Sequence, residues 1–294
     1  MNPTQRAYLE LHLAVLLFGL TAILGDLIQL SAIVLVWWRV LLTSIGMLFL
    51  IKARKVWQVM PRKLILQFMG IGILVGIHWI TFYGAIKLSN ASVTLVCMAT
   101  TSLFASLLEP FFFKTRVKWY ELLLGLMIVP GMVLIVNSVD LGMLNGIYVG
   151  LISAFLAALF AVFNKKLINE THAYNITFLE LGSACLFITV LLPFYFQMEN
   201  ASAFFPPTAL DWLWIGILVV LCTILAYVLS LRALKYISAF ASTLTINLEP
   251  VYGIILAWIL LNDHEEVEPN FYWGVLIILA AVFSYPILKK RLEK

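Results

Sequence analysis

Several ionisable side chains fall inside long apolar runs of this sequence: Glu10, Arg39, His78, Glu109, Glu180 and Glu249. At membrane depth such a group costs roughly 2.5–3.5 kcal/mol on the insertion scale for Asp or Arg, so each needs a partner, water or a task. Glu249 is the sharpest case. It lies about 11 residues from either end of an apolar run at 238–261, and Pro250 follows it. A proline there removes a backbone donor and crowds the carbonyl of Ile246, which breaks the regular ladder. At helical spacing, Ser238, Ser242, Thr245, Glu249 and Tyr252 or Gly253 share one face, and Asn247 joins the candidates from the same run. This stripe reads as a cavity wall with a protonatable or substrate-binding carboxylate, or as interhelical hydrogen bonding that holds a bundle together.

The first half of the chain carries a similar stripe without the charge. Aligning Ala85 with Ala233 pairs Asn90 with Ser238, Thr94 with Ser242, Cys97 with Thr245 and Thr101 with Glu249. Glu109-Pro110 looks like Glu249-Pro250, yet in this register Glu109 pairs with Ala257 and falls about 60° off the stripe at ~100° per residue. Glu109 is expected to form a local ion pair with Lys114 or Arg116, or to pack against a bend at Pro110. His78, Trp79 and Tyr83 could wall a site for an apolar or cationic substrate. Equally, Trp and Tyr there could be interface anchors, with His78 a hydrogen-bonded packing residue. Arg39 follows Trp37 and Trp38. It can snorkel to the interface, face the bundle to meet a substrate carboxylate, or pair with Asp26 or a helix C-terminus. Glu10 and Glu180 lie near run ends, where water is expected to reach them, and they are assigned no role. Tyr227 and Trp258 are further aromatic candidates.

The substrate-binding or cavity-lining set is therefore Glu249, His78, Trp79, Tyr83, Thr94, Thr101, Ser242, Thr245, Asn247 and Arg39. There is no HExxH, Cys/His ligand cluster or Gly-rich phosphate loop, so no catalytic residue, metal or cofactor is assigned. Phosphate-bearing substrates would want more than one basic group in the cavity, and only Arg39 is present.

These residues need elements to carry them. The chain has 294 residues, 63% hydrophobic and 12% charged, against about 45–50% and about 25% in soluble domains. Its mean hydropathy is +1.02. Apolar runs near 7–25, 31–51, 64–86, 90–113, 119–137, 146–164, 175–197, 211–231, 238–261 and 270–288 are each able to cross a ~30 Å hydrocarbon core as a helix. The runs are continuous, which excludes a β-barrel. The first run holds Glu10 and lacks a small-residue cleavage site, so it is read as a span. Cys97, Cys185 and Cys222 are scattered in apolar runs and form no disulfide framework.

Ten spans with both ends inside satisfy the positive-inside rule. Inner loops collect the Lys and Arg clusters at 52–63, 114–118, 165–166, 232–235 and 289–294, whereas Lys87 alone falls outside. Outer loops take Asp26, Asp140, Glu199, Asp211, Asp263, Glu265, Glu266 and Glu268. The net charge of +4 reflects these inner loops and does not point to nucleic acid.

The halves repeat. "AIKLSNAS" opens the fourth span and "ALKYISAF" the ninth. Five spans per copy is an odd number, so the second copy is inverted, with a site expected at midplane between the copies. The expected fold class is all-α integral membrane: ten transmembrane helices as two inverted five-helix repeats, 1–140 and 141–294, around a central cavity.

With "WWRVLLTS", "GIHWITFYGAIKLSNASVTLV" and "RALKYISAFASTLTINLEPVYGIILAWILLND" in this order, nearly the whole chain resembles the EamA-type transporters of the drug/metabolite transporter superfamily. That resemblance implies export or exchange of small metabolites, amino acids among them. It also implies a central cavity lined mainly by the first, third, fourth, sixth, eighth and ninth helices. One departure stands out: the fourth span often has a proline in that family, and here Ser102 stands where Pro250 would repeat, so a symmetric pair of kinks is not expected. The expected function is a secondary transporter, an exporter of small metabolites such as amino acids or amphipathic compounds, working by alternating access. Its partners are a small-molecule substrate, the lipid bilayer and protons, and no nucleic acid. Its location is the bacterial inner (plasma) membrane, with both termini cytoplasmic. The alternative is a membrane-embedded enzyme acting on a lipid, with Glu249 and His78 as its acid–base pair.

Overall fold

In the computed structural model the described residues are 2–136, 141–198, 203–249, 251–252 and 269–292, and all regular structure among them is helical. The helices are α1 (Pro3–Leu27), α2 (Ala32–Leu50), α3 (Ala53–Val59), α4 (Arg62–Leu88), α5 (Ala91–Ala99), α6 (Thr101–Phe113), α7 (Trp119–Val136), α8 (Leu144–Leu167), α9 (Ala173–Met198), α10 (Ala209–Val219), α11 (Ala226–Leu234), α12 (Ala239–Ile246) and α13 (Pro269–Leu292). Among the described residues seven segments are long and apolar enough to cross a membrane: α1, α2, α4, α5 with α6, α8, α9, and α10 with α11. The short α3 sits in the first basic loop, where the hydropathy pattern shows no span. Pro250, Gly253, Trp258 and the acids at 263–268 lie outside the described residues, as do Asp140 and Glu199.

Local chemistry sets many of the boundaries. Asn2 and Gln5 form a capping box at α1, with Pro3 in the first turn. Thr208 and Asp211 form another at α10. Asp211 also accepts from the Gln29 amide at 3.0 Å, tying the loop after α1 to α10. Lys87 donates to the carbonyls of Asp26 and Ile28, so this cation serves the C-terminal end of α1.

The two stripes share a cap. Asn90 accepts from the Val93 amide at 2.8 Å and Ser238 from the Ala241 amide at 3.1 Å, each opening its helix. Both helices are also interrupted a few turns later, α5 at Thr100 and α12 at Asn247. The fourth span breaks without a proline, because Thr100 donates its hydroxyl to the Cys97 carbonyl and its amide turns back to the same acceptor. Across the two interruptions the Asn247 side-chain amide donates to the Ser102 hydroxyl at 2.9 Å.

Packing joins the first half of the chain to the second. α4 lies between α8 and α9, α1 lies on α11, α2 on α9, α7 on α13 and α6 on α12. One large apolar cluster runs through α2, α4, α9 and α10. A second joins α1, α5, α7, α12 and α13. Large apolar side chains also face outward, Phe49 at 86% exposure and Phe111 at 76% among them. Outward apolar belts on apolar helices suit a lipid solvent.

The tightest approach is at Gly72 of α4, where a Cβ would stand 2.0 Å from the Glu180 carbonyl oxygen on α9. Small residues permit such contacts between membrane helices. At Gly70, two residues away, a Cβ would meet nothing within 4 Å. Gly72→Ala is expected to destabilise the protein by about 1–3 kcal/mol through overpacking, whereas Gly70→Ala should be neutral or gain up to about 1 kcal/mol from helix propensity. Thermal unfolding of both variants in detergent checks the contrast.

Candidate substrate cavity

A cavity of about 110 Å³ lies within the bundle, small beside the ~300–1,000 Å³ of ordinary small-molecule sites. Its wall takes Phe18 and Thr21 from α1, His78, Trp79 and Phe82 from α4, and Met98 and Thr101 from the broken α5–α6 segment. The second half supplies Ala157, Phe160 and Ala161 of α8, Tyr227 and Ser230 of α11, Thr243 and Ile246 of α12, and Glu249. Arg39 reaches in from α2. The wall is thus largely aromatic and aliphatic, with one acid and one guanidinium.

Arg39 is 1% exposed, which rules out snorkelling to an interface. Its Nε donates to the Thr223 hydroxyl at 2.7 Å, Nη1 to the Tyr83 hydroxyl at 2.9 Å and Nη2 to the Cys222 carbonyl at 3.3 Å. The guanidinium lies 3.8 Å from the Trp79 ring centroid, a cation–π stack that leaves its edge for hydrogen bonding. A turn of π-helix at Val220–Leu225 makes two of these acceptors available. Such turns shift the backbone pairing by one residue and often occur at functional sites. Here the Thr223 hydroxyl reaches back five residues to the Leu218 carbonyl at 2.7 Å.

Glu249 faces the same cavity, 7% exposed, close enough to Arg39 for the two charges to interact. Thr101, its partner in the repeat register, also lines the cavity, and its buried hydroxyl has no hydrogen-bond partner. His78 lines the wall while its Nδ1 is engaged behind it by Ser153, at 2.9 Å from the hydroxyl and 3.0 Å from the carbonyl. Ser153 is fully buried, so this Ser–His contact serves α4–α8 packing and offers no exposed nucleophile.

Of the ten residues expected to form the site, the structure brings Glu249, His78, Trp79, Thr101 and Arg39 to the cavity. The others are absent from its wall. Tyr83 stands behind it, its hydroxyl spent on Arg39 and its ring against Gly25. Thr94 donates to the Asn90 carbonyl and Thr245 to the Ala241 carbonyl, the i–4 back-bonding that lets hydroxyls sit in an apolar helix. Asn247 is spent on Ser102. Ser242 is buried off the cavity, on a helix whose wall positions are Thr243 and Ile246. Of the fourth-span stripe, Thr101 reaches the cavity whereas Cys97 faces α8, 2.9 Å from where a Cβ on Gly150 would be.

Two more acids depart from expectation. Glu109 makes no local pair with Lys114 or Arg116 among the described contacts. Its carboxylate accepts from the Ala239 and Phe240 amides at 3.3 and 2.8 Å, capping α12 from α6. Glu180 is fully buried, where water was expected. It accepts from Tyr227 at 2.5 Å and from the Asn164 amide at 3.3 Å. The sequence signal was there in part, since Tyr227 was a cavity candidate. Glu10, the other acid assigned no role, bridges Arg6 and Arg232 and so links α1 to α11.

Arg39→Lys should keep the charge yet lose the fork and the stack. Each buried donor–acceptor pair left unmade costs roughly 1–3 kcal/mol, so Arg39→Lys is expected to lower the unfolding temperature far more than Thr223→Val, which removes a single acceptor. A differential scan of both variants in the same detergent tests the ranking.

A family model described as the EamA-like transporter family matches residues 5–137 and again residues 144–285. The uncharacterized transporter YxxF of Bacillus subtilis (strain 168) is 22% identical over 287 residues, which cover 94% of this chain and 88% of that protein. A solved structure, described only as the crystal structure of a protein, aligns over 98% of this chain and 99% of its own with a TM-score of 0.74 at 16% identity, a shared fold. Two family matches across nearly the whole length, on a bundle of apolar helices, make this chain an integral membrane transporter that belongs to the EamA-like transporter family.

Proposed function

We propose that the protein is a secondary transporter that exports small zwitterionic or amine-bearing metabolites, amino acids or amphipathic compounds among them. One observation carries the reading: a buried carboxylate, Glu249, and a buried guanidinium, Arg39, share one aromatic-walled cavity built from both halves of the chain. An ammonium can pair with Glu249 and lie against Trp79 or Phe160, while a carboxylate meets the N–H groups of Arg39 that its three protein bonds leave over. A phosphate ester finds one cation and one repelling acid, which disfavours it.

In this proposal residues 1–140 and 141–294 are inverted five-helix repeats of a ten-span bundle in the bacterial inner membrane, with both termini cytoplasmic. The helix pairing supports it. α1 on α11 and α4 on α8 are the same contact seen from opposite repeats, whereas α2 on α9, α6 on α12 and α7 on α13 each join an element to its own counterpart. Rocking of one repeat against the other would open the cavity to each side in turn. The chain holds no nucleotide-binding loop, so an ion gradient supplies the energy, with protons as the coupling ion.

Purified protein in liposomes, loaded with a panel of labelled amino acids and cationic amphiphiles under an imposed pH gradient, tests this. A charge-assisted hydrogen bond contributes about 1.5–3 kcal/mol, so Glu249→Gln should slow transport of amine substrates by about ten- to a hundred-fold. A Glu249→Gln variant that transports at the parental rate would remove the acid from the mechanism. A panel in which nothing with an amine moves would remove the substrate class.

A further inference from the structure

A second buried acid lies next to the cavity, and the cavity itself does not use it. Glu180 is fully buried on α9, about 10 Å along the helix from its start at 1.5 Å per residue. One carboxylate oxygen, Oε2, accepts from the Tyr227 hydroxyl and from the Asn164 side-chain amide. The other, Oε1, has no hydrogen-bond partner, and neither has Oδ1 of Asn164, which is also buried. Buried acceptors are almost always satisfied, and a pair of orphans in two side chains already bonded to each other is a specific deficit. Both groups are acceptors at the atoms in question, so what is missing is a donor.

A single proton supplies it. Placed on Oε1, it turns that oxygen into a donor, and Asn164, already bonded to the same carboxyl group, carries the unsatisfied acceptor Oδ1. The carboxyl and the amide then satisfy each other while Oε2 keeps the bonds it already accepts. A metal cation fits less well, since it wants several more oxygens, and no group of three His, Cys, Asp or Glu side chains gathers among the described residues. A route also exists. Tyr227 lines the cavity and donates to Glu180. Its oxygen can take a proton from the cavity side as its own hydrogen passes to Oε2, which leaves tyrosine unchanged and converts one carboxylate to one carboxylic acid. A half-turn of the carboxyl group about its Cγ–Cδ bond then carries the protonated oxygen to the Asn164 Oδ1 side and returns an unprotonated oxygen to Tyr227.

We propose that Glu180, with Asn164 and Tyr227, forms an internal proton-binding site one hydrogen bond away from the transport cavity. Tyr227 on α11 is the titratable group that meets it, and Arg39 of α2 acts on Tyr227 from beyond. α8 presents the uncharged Asn164, and α4 brings Gly72 and the Met69 carbonyl against this turn of α9. The site's use in coupling rests on the transporter reading, but its existence does not. In a coupled cycle, Glu249 binds the substrate amine while Glu180 stores the proton, so the two acids divide tasks that one acid would have to alternate.

Infrared spectroscopy of the purified protein in lipid vesicles, with no substrate added, tests the site directly. The carbonyl stretch of a buried carboxylic acid is expected in the parent, lost in Glu180→Gln and retained in Glu249→Gln. An identical band in Glu180→Gln overturns the proposal, as does its disappearance when sodium replaces potassium, which would assign a metal cation. Should Glu180→Gln fail to assemble, Tyr227→Phe decides: the band shifts if Glu180 carries the proton and stays in place if it does not. A band that behaves as expected in a protein that moves no amine would overturn the amine-export reading and leave this site standing.

Discussion

A guanidinium sealed inside an apolar bundle has to be satisfied in full by the protein, and Arg39 organises much of this structure around that demand. It draws in the Tyr83 hydroxyl from α4, the Thr223 hydroxyl and Cys222 carbonyl from the π turn, and the face of Trp79. An unbroken α-helix from Ala209 to Leu234 would keep the Cys222 carbonyl in its own ladder. The irregular turn therefore belongs to the same arrangement as the cation. The result is a rigid corner joining α2, α4 and the α10–α11 segment. Trp79 and Tyr227, which face the cavity, meet edge to face beside it.

Against this corner the remaining polar residues separate into two groups. Hydroxyls that donate to carbonyls three or four residues back, such as Thr94, Thr245 and Ser106, are internally satisfied and behave as small apolar side chains. Residues that are bonded across helices hold the bundle: Glu109 on the start of α12, Lys165 on the end of α11, Glu10 between α1 and Arg232. Few polar atoms are left for anything else. Among the described residues, Thr101, Glu180 and Asn164 keep such atoms in or beside the cavity that Glu249 faces, and Thr43 of α2 keeps one away from its wall. Membrane interiors make that economy meaningful, because an unspent polar group has no water to turn to.

The sequence displayed the elements clearly because hydropathy is a one-dimensional property and each apolar run has only to be long enough. Depth followed from the same counting, which is why Glu249 and Thr101 were legible as partners at the middle of their runs. Azimuth was much less so. A stripe at helical spacing says that Ser238, Ser242, Thr245 and Glu249 share a face, but the regular helix is interrupted at Asn247, between Thr245 and Glu249, and of these four only Glu249 reaches the cavity. Arg39 next to two tryptophans looks like an interface residue until its acceptors, more than 40 residues away on one side and more than 180 on the other, come into view. Glu180 was misjudged for the same reason: distance from a run's end measures depth along one helix, and burial depends on the neighbours on every side.

The hydrogen bond between Asn247 and Ser102 has a mechanical meaning. It spans the interrupted points of α5–α6 and α12 and joins them through polar side chains. When two bodies turn against each other, displacement grows with distance from the hinge line, and atoms near that line scarcely move. A contact located there can persist through the whole excursion, whereas contacts at the rims must be exchanged. Asn247 and Ser102 are thus suited to act as a fulcrum. In the rocking proposed above, this bond would keep the halves in register.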